Sequence, residues 1–127
     1  MQLAEDAQHS RRKERYAEIC ARENWHQRLM GFVNRGLDIR TLREYEDLLL
    51  ASHRQEVIDF YIRYIWHVME GYRCRATYKE VCRYLRRIYR LGAGQQVVVD
   101  IANDLRMKYR RCPALLEELD RLPFIHS

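Results

Sequence analysis

The polar residues Glu56, Asp59, Arg63 and His67 recur at spacings of three and four. Between them run Val57, Ile58, Phe60, Tyr61, Ile62, Tyr64, Ile65, Trp66, Val68 and Met69. A narrow polar stripe on an otherwise apolar cylinder is the pattern of a helix sandwiched between neighbours. It predicts a central core helix over 54–69. The same periodicity predicts helices near 41–51, 78–91, 94–109 and 113–121. A longer and more polar helix is predicted near 3–33, bent at Gly31.

The ends of these segments carry helix signals. Thr41-Leu42-Arg43-Glu44, Ser52-His53-Arg54-Gln55 and Thr77-Tyr78-Lys79-Glu80 each fit a capping box. In that motif a hydroxyl accepts from the third helical amide and a Glu or Gln reaches back to the cap. Cys112-Pro113 places proline where its missing N–H costs nothing. Gly36, Gly71 and Gly92 each follow a periodic segment, as helix-ending glycines do.

A shift of 40 residues lays Ser52–Val57 over Gly92–Val97 and Arg43 over Arg83. Both copies read as helix, tight turn, helix, a period that suits stacked helix pairs. The predicted fold is all-α. Antiparallel helical hairpins stack as a short helical-repeat array of the TPR or HEAT kind, or as a right-handed bundle. A chain of 127 residues suits one domain with its own core. The predicted layout is a long N-terminal helix over 1–35, a first hairpin over 38–71, and a second hairpin with a short C-terminal helix over 73–121.

Composition narrows the class. Apolar residues make up 47% and charged residues 32%, with 5 Gly and 2 Pro, which excludes a disordered chain. No apolar run approaches the ~20 residues of a membrane span, so no membrane partner is expected. Met1–Asp6 lacks the basic start and apolar stretch of a secretory signal, which makes a cytoplasmic location the expectation. Cys20, Cys74, Cys82 and Cys112 show neither CxxC nor CxC spacing and are expected to be reduced and structural.

The charge of +5 is unevenly placed. Between Arg73 and Cys112 stand eleven Lys or Arg against Glu80, Asp100 and Asp104. Lys79, Arg83, Arg86 and Arg90 step by four, three and four along one helix face, with Arg87 beside them. Like charges at those spacings repel, so an anionic partner should offset them. The candidates are acids on other helices (Glu44, Glu46, Asp47, Glu117, Glu118, Asp120), an acidic protein surface, or a phosphate backbone. Arg106, Lys108, Arg110 and Arg111 form a second cluster, whose simplest role is to complement a helix C-terminus. Tyr72, Tyr78, Tyr84 and Tyr89 interleave with these cations, either as core-edge residues or as a base-stacking surface.

Catalytic signatures are missing. His9, His26, His53, His67 and His126 form no HExxH, and there is no phosphate loop and no GxSxG. No enzyme, cofactor or metal is expected.

The stretch Tyr78–Ile88, closing on Leu91-Gly92, is followed by Leu105-Arg106-Met107-Lys108-Tyr109-Arg110-Arg111-Cys112-Pro113-Ala114-Leu115-Leu116-Glu117-Glu118-Leu119. Together they resemble the C-terminal helical tail of SWIM zinc-finger proteins. The resemblance implies a helical scaffold attached to a finger that binds DNA or protein. The finger itself, a CxC followed by a CxH, is absent here, so its zinc does not carry over. The expected function is therefore a non-enzymatic helical scaffold that associates with protein. Nucleic-acid binding through the 78–91 helix is the alternative. The N-terminal segment either packs on the hairpins or reaches a second copy of the chain to form a homo-oligomer.

Overall fold

The computed structural model describes residues 2–123, with side chains from residue 12 onward. Its helices are α1 (Gln2–Arg22), α2 (His26–Arg35), α3 (Ile39–Glu44), α4 (Glu46–Glu70), α5 (Arg75–Arg90), α6 (Gln95–Lys108) and α7 (Pro113–Asp120). No strand occurs among the described residues, so the all-α expectation holds. The chain divides into two compact units, residues 1–57 and 58–127, with the boundary inside α4.

In residues 1–57, α1 packs on α2 and α2 on α3. Ala17, Cys20, Leu29, Met30, Val33, Leu42 and Leu49 are buried. The expected helix over 1–35 is two helices. Asn24 takes the left-handed conformation at φ 59°, and the Trp25 amide closes on the Cys20 carbonyl at 2.8 Å. Asn is among the few residues that tolerate this conformation, and such a closure ends a helix. Gly31 bends nothing. It lies inside α2, where buried Leu29, Met30 and Val33 carry the packing past it.

The three predicted caps are displaced. Asp38 caps α3, its carboxylate accepting from the Thr41 amide at 3.1 Å and the Thr41 hydroxyl at 2.8 Å. With Asp38 as the cap the helix starts three residues earlier, and Thr41 becomes its third residue, whose amide the cap receives. Thr77 lies inside α5 and donates to the Tyr72 carbonyl at 2.7 Å. Ser52 lies inside α4, which runs on through a kink at His53 (φ −132°, ψ 39°).

The core helix is as the pattern predicts. Val57, Ile58, Phe60, Tyr61, Ile65 and Met69 are buried, and Glu56, Asp59, Arg63 and His67 are exposed. In residues 58–127, α5, α6 and α7 pack against one another pairwise. Tyr61 stacks on Tyr84 at 5.5 Å, and Tyr64 meets Tyr84 edge-on at 5.3 Å. The α5–α6 reversal uses Gly92 and Gly94 at φ 92° and 95°, a backbone open to glycine without penalty. Pro113 opens α7 as expected. The two segments related by the 40-residue shift differ in form. The later copy reverses at Gly92–Gly94, whereas the earlier copy only kinks at His53. The expected hairpin over 38–71 is thus a six-residue α3 followed by one long kinked helix.

Candidate functional site

The basic face is built on α5. That helix buries Tyr78, Val81, Cys82, Tyr84, Leu85 and Ile88. Helical periodicity then turns Lys79, Arg83, Arg86 and Arg90 to the opposite side. Lys79, Arg83 and Arg90 are exposed and Arg86 is half-buried. From Lys79 to Arg90 the stripe extends about 16 Å at 1.5 Å per residue. Arg87, at its edge, is half-buried and engaged elsewhere.

The acids of α7 are already used. Glu118, buried, accepts from Arg75 at 3.0 Å and from Arg121 at 3.3 Å. Glu117 accepts from Arg75 at 2.9 Å, and Asp120 from Arg106 at 2.7 Å. The guanidinium of Arg75 is held above its usual range by Glu117 and then Glu118. None of Lys79, Arg83, Arg86 and Arg90 forms an ion pair or hydrogen bond with a described residue. Among the described residues the stripe thus keeps its self-repulsion without a paired anion.

All of the net charge belongs to this half. Residues 58–127 hold 13 Lys or Arg against 8 Asp or Glu, while residues 1–57 hold 10 of each.

The second cluster divides. Arg106 is half-buried and tied to Asp120. Lys108 places its ammonium 5.6 Å from the ring centres of both Trp66 and Tyr109, a cation–π contact that fixes it locally. Arg110 and Arg111 are exposed. The tyrosines divide too. Tyr78 and Tyr84 are buried in the core, whereas Tyr89 is 42% and Tyr72 86% exposed. Burial raises the Tyr78 hydroxyl, reinforced by a hydrogen bond with Cys112. Burial likewise pushes the Cys82 thiol up to about 11.

Among the described residues no group of three His, Cys, Asp or Glu is placed to hold a metal, and all four cysteines are free thiols. His126 and the side chain of His9 lie outside the described residues. No helix among the described residues is long and apolar enough to cross a membrane.

Residues 1–57 hold two further features. A cleft of about 1150 Å³ opens between α1, α2 and α3, lined by Lys13, Arg35 and Arg40 together with Glu14, Glu18, Asp38 and Glu44. Tyr45 at its wall has its hydroxyl raised by burial, then by Glu44, Glu18 and Glu14. The other feature is a contact that sequence spacing did not reveal. Ser52 Oγ sits between the Nδ1 atoms of His26 and His53. His26 is 26 residues away in sequence, and no local signal joins the two.

No protein-family model, curated protein or solved structure matches the chain.

Proposed function

We propose that this protein is an association module that holds an acidic protein surface against the Lys79–Arg83–Arg86–Arg90 face of α5. The observation that carries the reading is that this face has no ion pair among the described residues, beside α7 acids committed to Arg75, Arg106 and Arg121. An incoming carboxylate surface relieves the repulsion along the stripe. It also adds charge-assisted hydrogen bonds, for which guanidinium is well shaped. Burial of Tyr78 and Tyr84 removes half of the interleaved tyrosines from any base-stacking platform, which favours protein over single-stranded nucleic acid. The likeness of the C-terminal half to the helical tail of SWIM zinc-finger proteins belongs to the same reading, as a scaffold that presents a binding face.

The test is a binding titration of the full chain with a labelled glutamate-rich helical peptide and with duplex and single-stranded oligonucleotides, at two salt concentrations. Peptide binding that is lost in the double variant Arg83→Glu/Arg86→Glu supports the proposal. Tight oligonucleotide binding with a steep salt slope and no peptide binding transfers the face to nucleic acid. Binding to neither shows a merely solvated face.

A further inference from the structure

In residues 1–57 three side chains converge on one oxygen. Ser52 Oγ lies 3.0 Å from His26 Nδ1 and 2.7 Å from His53 Nδ1. On the far side of the second ring, His53 Nε2 is 4.0 Å from Glu56 Oε1. Adjacent side chains on a regular helix do not face each other. The non-helical backbone at His53 (φ −132°, ψ 39°) lets this ring turn back onto the preceding hydroxyl.

Counting protons limits the two contacts of Ser52 to one donated and one accepted hydrogen bond. A serine hydroxyl has one proton and two lone pairs, and a neutral imidazole has one N–H. His26 Nε2 is buried without a hydrogen-bond partner among the described residues, so its only polar contact there is through Nδ1. In the arrangement that leaves His53 free to act as a base, the His26 proton sits on Nδ1 and is donated to Ser52 Oγ. The Ser52 hydroxyl is left to donate its own proton to His53 Nδ1. His53 then carries its proton on Nε2, facing Glu56. Nucleophile, base and carboxylate stand in the order that activates a hydroxyl.

The site also has somewhere to put an apolar group. Leu48 and Ala51 of α4 and Ala21 of α1 supply the apolar floor of a shallow surface groove of about 730 Å³, whose rim carries Glu18, Arg22, Glu44, Tyr45 and Asp47. Ala51, the residue just before Ser52 in the chain, belongs to this lining, so the groove lies beside the site.

We propose that Ser52 is an acyl-accepting nucleophile, activated by His53, toward esters of apolar carboxylic acids. Ser52 Oγ attacks the ester carbonyl carbon, and as the new C–O bond forms the hydroxyl proton passes to His53 Nδ1. The imidazolium so formed faces Glu56, whose charge stabilises it. Collapse of the tetrahedral adduct breaks the bond to the departing alkoxide, which takes the proton back from His53. Serine remains as its acyl ester and the alcohol leaves. Water deprotonated by the same nitrogen then releases the carboxylic acid and restores the hydroxyl. His26 is a positioning residue that fixes the Ser52 rotamer through its Nδ1–H. None of these residues lies on α5, so the inference stands or falls apart from the association reading.

The experiment treats the full chain with p-nitrophenyl acetate and p-nitrophenyl butyrate. It follows nitrophenolate release and maps the acyl adduct by peptide mass. The adduct is expected on Ser52 and is absent from Ser52→Ala. His53→Gln should slow acylation about a hundredfold and flatten its pH profile. The butyrate ester should show a KM lower by roughly threefold or more per added methylene. Far-ultraviolet circular dichroism establishes that each variant is folded. If Ser52→Ala does not fold, the His53→Gln pH profile decides. Adducts spread over lysines and tyrosines at a rate indifferent to Ser52→Ala overturn the proposal, as does a folded His53→Gln that reacts as fast as the parent.

Discussion

Glu118 is the buried carboxylate that ties α7 to the start of α5, and its removal tests how that part of the molecule is held. Its side chain is 7% exposed and accepts from Arg75 at 3.0 Å and from Arg121 at 3.3 Å. Breaking a fully buried ion pair costs about 3–5 kcal/mol, because the surviving charge is stranded away from water. Here the survivors are not stranded, since Arg75 is 45% and Arg121 63% exposed, and both rehydrate once the carboxylate is gone. The cost of Glu118→Ala should therefore fall to roughly 1.5–3 kcal/mol, the range for losing hydrogen bonds to a charged group. Urea unfolding followed by far-ultraviolet circular dichroism measures it. A double-mutant cycle with Arg75→Ala then isolates the pair. Arg75→Ala should cost less by itself, because Glu118 keeps Arg121. Glu118→Leu should recover part of the loss, since an apolar side chain at a buried site needs no partner. A Glu118→Ala cost below about 0.5 kcal/mol, the range of an ordinary surface change, would refute the reasoning.

Other outcomes follow from single residues. Cys82 has its thiol raised by burial from 9.0 to about 11, so the folded state disfavours the thiolate. Its contribution is fully present below pH ~9 and is lost as pH rises toward ~11, amounting to about 2–3 kcal/mol at one pKa unit per 1.36 kcal/mol. A Cys82→Ala variant should show a flatter alkaline limb in urea midpoints against pH. The Cys74 thiol is lowered by its hydrogen bond with Thr77, so iodoacetamide should label Cys74 well before Cys82, and Thr77→Val should narrow the gap. Asp38→Ala removes the cap of α3 and should cost about 0.5–2 kcal/mol in the same unfolding assay. Gly94→Ala places a side chain at φ 95° with no atom within 4 Å of the new Cβ, so its cost of roughly 1–3 kcal/mol is backbone strain alone.

Sequence periodicity alone marked the buried face of α5 and the narrow exposed stripe of α4 over 54–69. The apolar positions of α4 and α5 follow the 3.6-residue repeat, and burial follows them, because an apolar face has only one place to go in water. Pro113 and the glycine reversal at 92–94 were legible for the same local reason, as each restricts its own backbone. Caps were less legible. A hydroxyl has several acceptors and donors within reach, and what it bonds depends on the neighbours folding brings. Asp38 took the Thr41 amide, Tyr72 took the Thr77 proton, and two histidines took Ser52. The break at Asn24 went unforeseen because a left-handed residue with its Trp25–Cys20 closure leaves a weaker mark in sequence than glycine does. Only the tertiary structure decided how charges pair. Arg75 and Glu118 are 43 residues apart, and no spacing rule joins them. Their pairing, with that of Arg106 and Asp120, commits the α7 acids and leaves the basic face of α5 without a paired anion among the described residues. A sequence shows how many charges of each sign a chain holds. Which of them meet is set by the packing of helices distant in sequence, because an ion pair needs contact within a few ångströms.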